Sequence, residues 1–268
     1  MSFPLDHVVV AVADLEAAIA DWRALGFNVL DGGVHPGRGS RNGLVVFADG
    51  AYFEIIAFDR PVPDFRWWRV LDASGDGLVD FALLPNDIEE DVAAARARGL
   101  DYDLPVPGGR ARPDGERLEW KTARSPKSDV PFFCGDVTAR ALRVPEGEAR
   151  VHPNGARGIA AITVAVGNLE ASIARWAAYY GTAPVAARLL PEHGLRVAEL
   201  TAGSTRITLA TPEGEGSLGT AVAAHLESRG EGPFSVEVLA PEDRPLDPVL
   251  THGAPITLVA RPSETRLA

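Results

Sequence analysis

Two side chains able to do chemistry interrupt strands that are otherwise apolar: His7 in "LDHVVVAV" and Glu54 in "AYFEIIAF". Strand alternation puts His7 on one face with Val9 and Ala11, and Glu54 on one face with Tyr52 and Ile56. An imidazole or carboxylate buried without a partner costs several kcal/mol, so each requires a metal, the other, a ligand or water. Asp80 interrupts "GLVDFALL" in the same manner. A second imidazole, His35, opens "HPGRGSRNG" (35–43), which reads as a long loop between two strands. Its glycines permit close backbone approach to a ligand, and His35, Arg38 and Asn42 can hydrogen-bond one, His35 as acid, base or contact. No dinucleotide fingerprint is present there, because a strand follows where a helix is needed.

Further candidates flank these. In "FRWWRVL" (65–71) the adjacent Trp67 and Trp68 diverge by about 100° on a helix, so only one faces a given core. Trp67 would then close over a concavity as a lid, or pack beneath the linker. Tyr52, beside Glu54, is a candidate ligand contact. "PVPGGRARPDGERLEWK" (105–121) reads as a loop whose Arg110 and Arg112 suit a carboxylate or phosphate, or else stand as exposed charges. Cys134 lies in an apolar context and reads as packing. No nucleophile elbow and no zinc-finger spacing occurs.

The elements that must hold these residues form a repeat. At an offset of 154, Val10, Ala11, Val12, Leu15, Glu16, Ala17, Ile19, Ala20, Trp22 and Ala24 all meet identical partners, whereas His7 meets Ala161. Each copy reads as a β-branched strand, a helix capped by Asp14 or Asn168, and three further strands, with hairpin turns at 49–50 and 202–204. A fainter copy starts at Gly77 when Asp87 is laid on Asp14, giving a strand at 77–84, a helix at 87–98 and strands near 117–124 and 130–134. A fourth begins at "GPFSVEVL" and is truncated. Modules of this size cannot each bury both sheet faces, so they should pair. The polar segment 140–158 is the natural boundary. It divides a domain at 1–140, a linker at 141–156 and a domain at 157–268.

Composition narrows the function classes. A net charge of −11 without a dense basic run argues against nucleic acid as a partner. No apolar run approaches the roughly 18 residues of a membrane span, and no secretory signal is visible at the start. One cysteine excludes an internal disulfide, and a cytoplasmic location is expected.

Over nearly its whole length the chain resembles the vicinal-oxygen-chelate superfamily, and within it the glyoxalase-like domain proteins of two fused halves. The carriers are "LDHVVVAVADLEAAIADW", "GGVHPGRGSRNGLVVFADGAYFEIIAF" and "HPNGARGIAAITVAVGNLEASIARW". The resemblance implies an α+β fold of tandem βαβββ modules paired into curved mixed β-sheets. Relatives include isomerases, lyases, ring-cleaving dioxygenases, epimerases and drug-binding proteins, so the fold says little about the reaction. In metal-using relatives the ligands come from the first and last strand of each paired module, which here implies His7 and Glu54, with Asp80 as a third. The fourth position falls near Phe133, which cannot ligate. Such a set suits Zn²⁺, Fe²⁺, Mn²⁺ or Ni²⁺ and keeps open positions for catalysis, with Glu54 also a candidate catalytic group. When Gly203 is laid on Gly50, module three carries Ala161 and Ile207 where module one has His7 and Glu54, so the second half reads as scaffold. The expected ligand is a small carbonyl, enolisable or vicinal-oxygen compound bound by a monomer or homodimer. The alternative is a metal-free protein that sequesters an aromatic compound or drug.

Overall fold

Asp14, Asp87 and Asn168 each end an apolar strand and begin a helix. Their side-chain oxygens accept the backbone N–H groups of Ala17, Glu90 and Ala171 at 3.0, 2.9 and 3.0 Å, which satisfies a donor that the first helical turn leaves open. The computed structural model in which these caps are seen describes residues 3–35, 37–111 and 116–260. Its first half runs β1 (Leu5–Ala11), α1 (Leu15–Ala24), β2 (Leu30–His35), β3 (Ser40–Val46), β4 (Tyr52–Phe58), α2 (Arg66–Ser74), β5 (Gly77–Leu83), α3 (Ile88–Ala97), β6 (Val106–Ala111), β7 (Arg117–Ala123) and β8 (Phe132–Asp136). A short helix, α4 (Arg140–Arg143), leads on to β9 (Gly158–Ala165), α5 (Leu169–Tyr180), β10 (Ala187–Leu190), β11 (Leu195–Ala202) and β12 (Thr205–Pro212). The chain then forms α6 (Ser217–Arg229), β13 (Gly232–Leu239), β14 (Arg244–Pro245) and β15 (Ile256–Val259).

These strands make two curved mixed sheets, ordered β2-β3-β4-β1-β5-β8-β7-β6 and β10-β11-β12-β9-β13-β15-β14. Within each module the first and last strands pair in parallel, and the two modules meet at an antiparallel β1–β5 or β9–β13 seam. Modules one and two therefore share a sheet, as do three and four. The fourth module shows β13, β14 and β15, with no helix among its described residues.

Two expectations about loops are corrected. The stretch 35–43 is mostly strand: β2 and β3 pair from Leu30–Leu44 to His35–Ser40, so Arg41 and Asn42 sit on β3. Likewise β6 pairs with β7, which places Arg110 on a strand opposite Leu118. Arg112 lies outside the described residues.

Two registers are corrected as well. Val9 faces Glu54 in the β1–β4 pair, and Ala82 faces Phe132 in β5–β8, so the counterpart of Glu54 in module two is Phe132. In module three Thr163 faces Thr208, so Thr208, not Ile207, stands where Glu54 does. Thr208 keeps the offset of 154 from Glu54. The glycines at 50 and 203 occupy different places in their turns, and a slip of one residue moves a side chain to the opposite face.

One continuous core joins the sides of the two sheets that face each other. It contains Trp22, Phe53, Phe81 and Phe133 from the first half and Trp176 and Tyr179 from the second. Phe133 stacks on Tyr179 at 4.7 Å between centroids, a geometry that adds to simple burial of area. The opposite, concave faces receive the helices that link paired modules. In the second half Leu218, Val222 and Leu226 of α6 pack onto Ala165, Val197 and Ala210. Next to them Arg206 is ion-paired with Glu237 at 3.2 Å. In the first half α2 is shorter and covers Val9, Ala11 and Val79 with Trp67, Val70 and Leu71. The His7 end of that face stays open.

Candidate functional site

His7 lies on the concave face of β1 and is 3 % exposed. Its Nδ1 is 2.6 Å from Asp6 Oδ2, and its Nε2 is 3.5 Å from Glu54 Oε2 on the neighbouring strand. Asn42 Nδ2 donates to the other Glu54 oxygen, Oε1, at 2.6 Å. A Cβ added at Gly32 would lie 2.0 Å from Asn42 Oδ1, so β2 can pass this amide only as glycine. Tyr52 stacks on the imidazole at 4.6 Å, and its hydroxyl accepts from Arg143 Nη1 at 2.7 Å.

Behind His7, Asp6 is wholly buried and engages two guanidiniums. Arg143 donates to both of its oxygens at 2.9 and 3.0 Å, and Arg140 to Oδ1 at 2.5 Å. Asp136 closes the network on the far side of both arginines. Arg140 and Arg143 belong to α4, which spans the expected start of the linker at 141.

The charge states follow. Burial favours the neutral forms of both groups, yet their mutual contact and the partners at either end prevail. For Glu54, burial is outweighed by the hydrogen bond and charge of His7 and by Asn42, which bring its pKa down to about 2. For His7, burial is outweighed by the hydrogen bonds to Asp6 and Glu54, which raise it above 6.5. Asp6, despite its burial, is held well below the usual carboxylate range, chiefly by Arg143. The result is an imidazole held between two carboxylates that favour its protonated form, one of which faces open space.

That space is a cavity of about 500 Å³, counting its mouth. Of the residues expected at a site, His7, His35, Arg38, Asn42, Tyr52, Glu54, Trp67 and Arg110 all line it. His35 bonds Ser40 Oγ at 3.0 Å and meets the edge of Trp120. Burial lowers its pKa, so it is the neutral imidazole of the pair. Trp67 both walls the cavity and donates its indole N–H to Asp80 at 2.7 Å.

Asp80 is not brought to His7 and Glu54. It faces a neighbouring recess, where Arg66 at 2.9 Å, the Trp67 indole and the Phe81 N–H occupy its oxygens. The expected His7, Glu54 and Asp80 donor set is therefore not assembled. Among the described residues the group that does bring three ligand atoms within 4.8 Å of one another is Asp6, His7 and Cys134. A cation there would compete with Arg140 and Arg143 for Asp6, and burial pushes the Cys134 thiol up to about 12. Phe132 supplies no donor at the fourth position. A metal at His7 would thus draw on an Asp6 already engaged by two guanidiniums and on a Cys134 that burial holds as the thiol.

Several wall residues were not anticipated from the sequence: Leu44, Trp120, Thr122, Arg124, Phe132, Cys134 and Arg143. Asp6 adjoins His7 and was the one readable signal, since a carboxylate beside an inward imidazole needs a partner of its own. Arg143 and Arg124 come from distant segments with no local pattern to mark them.

A family model described as "Glyoxalase-like domain" matches residues 5–180. Among solved structures, a hypothetical protein from Staphylococcus aureus is 13% identical, with a TM-score of 0.70 over 96% of this chain and 99% of that one. A variant of 4-hydroxymandelate synthase from Streptomyces coelicolor is 18% identical, with a TM-score of 0.63 over 90% of this chain and 72% of that one. At such identities these two likenesses speak for the fold alone. None of the curated proteins matches the sequence. No described helix is long and apolar enough to cross a membrane. With a matching family model over most of its length and paired modules in both sheets, the chain belongs to the glyoxalase-like domain family of the vicinal-oxygen-chelate superfamily.

Proposed function

We propose that the cavity of the first sheet catalyses proton transfer on a small enolisable carbonyl compound, with His7 as acid and Glu54 as base. The observation that carries this reading is the 3.5 Å pairing of His7 Nε2 with Glu54 Oε2 at the floor of a cavity. Glu54 Oε2 takes a proton from the carbon beside the carbonyl while His7 Nε2 gives its own to the carbonyl oxygen. A C–H bond breaks, an O–H bond forms, and the enol leaves a neutral acid and a neutral imidazole behind; the reverse step restores both. A carboxylate with a pKa of about 2 is a weak base on its own. The two titrations are coupled, however, so the base strengthens as the imidazolium gives up the charge that depressed it. Asp6 holds the Nδ1 proton and the ring orientation, as a carboxylate behind a catalytic imidazole does.

The test uses proton NMR of the whole chain in D₂O with pyruvate, phenylpyruvate and hydroxyacetone. Deuterium should enter the carbon next to the carbonyl of at least one of them faster than in buffer, and EDTA should not slow it. If none exchanges above the buffer rate, the reading is wrong.

A second reading keeps a divalent metal at His7 and is favoured by the approach of Asp6, His7 and Cys134. Stoichiometric Zn, Fe, Mn or Ni in chain purified without chelator, together with exchange that EDTA stops, would favour it over the first.

A further inference from the structure

Two arginines line the cavity without a salt bridge to any described carboxylate. Arg38 lies 4.9 Å from the centroid of Phe65, and Arg124 lies 5.6 Å from the same ring. Arg124 also stacks at 4.9 Å on Trp67 and 4.1 Å on Phe132. Neither side chain forms a hydrogen bond or ion pair among the described residues, and Arg124 Nε is buried without an acceptor. Asp80, the carboxylate whose charge acts on Arg124, is already bonded to Arg66, Trp67 and the Phe81 N–H. Two like charges around one aromatic ring repel: burial, and after it Arg38, disfavours the charged form of Arg124, while the charge of Asp80 only partly offsets them. Stacking on aromatic faces recovers only part of the cost of desolvating a cation. A fold that spends stability in this manner, with both charges on one cavity, is prepared for an anion that neither sheet supplies.

The geometry also sets the ligand's shape. Phe132 is the shared wall: its ring meets His7 edge-on at 5.3 Å and Arg124 at 4.1 Å. Trp67 flanks it at 5.6 Å. One aromatic ring thus separates the imidazolium from the guanidinium.

We propose that Arg38 and Arg124 form an anion subsite that takes the carboxylate or phosphate of a flat ligand lying along Phe132, its other end turned to His7 and Glu54. The assignment rests on the reading of this cavity as the ligand site and adds the class of molecule: a planar monoanion or dianion, not a neutral drug or a cation. Planar guanidiniums bind such groups through paired N–H donors, and a lysine would not replace that geometry.

Isothermal titration of the full chain with benzoate, phenylphosphate and benzamide tests it without turnover. Benzoate or phenylphosphate should bind, whichever is tighter naming the anion, and benzamide, of the same shape but neutral, at least tenfold more weakly. Arg38→Met and Arg124→Met should each weaken the anion at least tenfold, with Arg124→Lys restoring only part. Glu54→Gln should keep anion binding even where it stops exchange, so failure of the subsite and failure of the proton-transfer reading are told apart. Benzamide binding as tightly as the anions, no binding of either anion, or Met variants that bind like the parent chain would each overturn the subsite.

Discussion

Glu54→Gln is expected to slow deuterium exchange by about 10²–10⁴-fold, the range attached to one positioned acid or base. The amide matches the carboxylate in shape, so Asn42 Nδ2 still finds an acceptor at its 2.6 Å contact. What goes is the base, and with it one of the two charges that hold His7 protonated. His7→Ala should cost as much or more, since it removes the acid and leaves Glu54 buried without its cation. The two losses should not multiply, because acid and base act on one proton pair; the double variant should be about as slow as the worse single one. Exchange rates measured by NMR on folded variants decide the matter.

Arg143→Met is expected to cost about 3–5 kcal/mol of stability, read from urea unfolding, because it strips a buried acid of its counter-charge. Arg143 is nearly inaccessible and serves Asp6, Asp136 and Tyr52 together, so no water can replace it cheaply. The same network sets the pH response. Asp6 is lowered from 3.8, so the stability it contributes is complete above that value and is lost as pH falls through its lower folded pKa. His7 is raised from 6.5, so its contribution is complete below 6.5 and is lost as pH rises through its higher folded pKa. The parent chain should therefore be most stable between these limits. In Arg143→Met the acid side of that window should move to higher pH.

The architecture was legible because the signals for it are local. Apolar strands, the caps Asp14, Asp87 and Asn168, and an offset of 154 all act within a few residues, and helices and strands follow from them. The inward His7 and Glu54 were legible for the same reason: each breaks an apolar strand. Register was not. Phe132 rather than Phe133, and Thr208 rather than Ile207, share the face of Glu54, and a period of two turns a one-residue error in a hairpin into the wrong side of the sheet. The polar shell was least legible. Arg124 reaches the cavity from the end of β7 and Arg143 from α4, and only the closed sheet brings either one near His7. Asp80 looked equivalent to His7 by alignment and faces the same way, yet a tryptophan and an arginine had already claimed it.

The central claim is that His7, between Asp6 and Glu54, carries hydrogen on both ring nitrogens and faces a ligand. Nitrogen-15 NMR of the His7 ring reads this directly in the unliganded chain. Both ring nitrogens should carry hydrogen at pH 7, and Glu54→Gln should shift the titration of that ring to lower pH. A bare or metal-bound Nε2 at pH 7, or a titration that Glu54→Gln leaves in place, would contradict it.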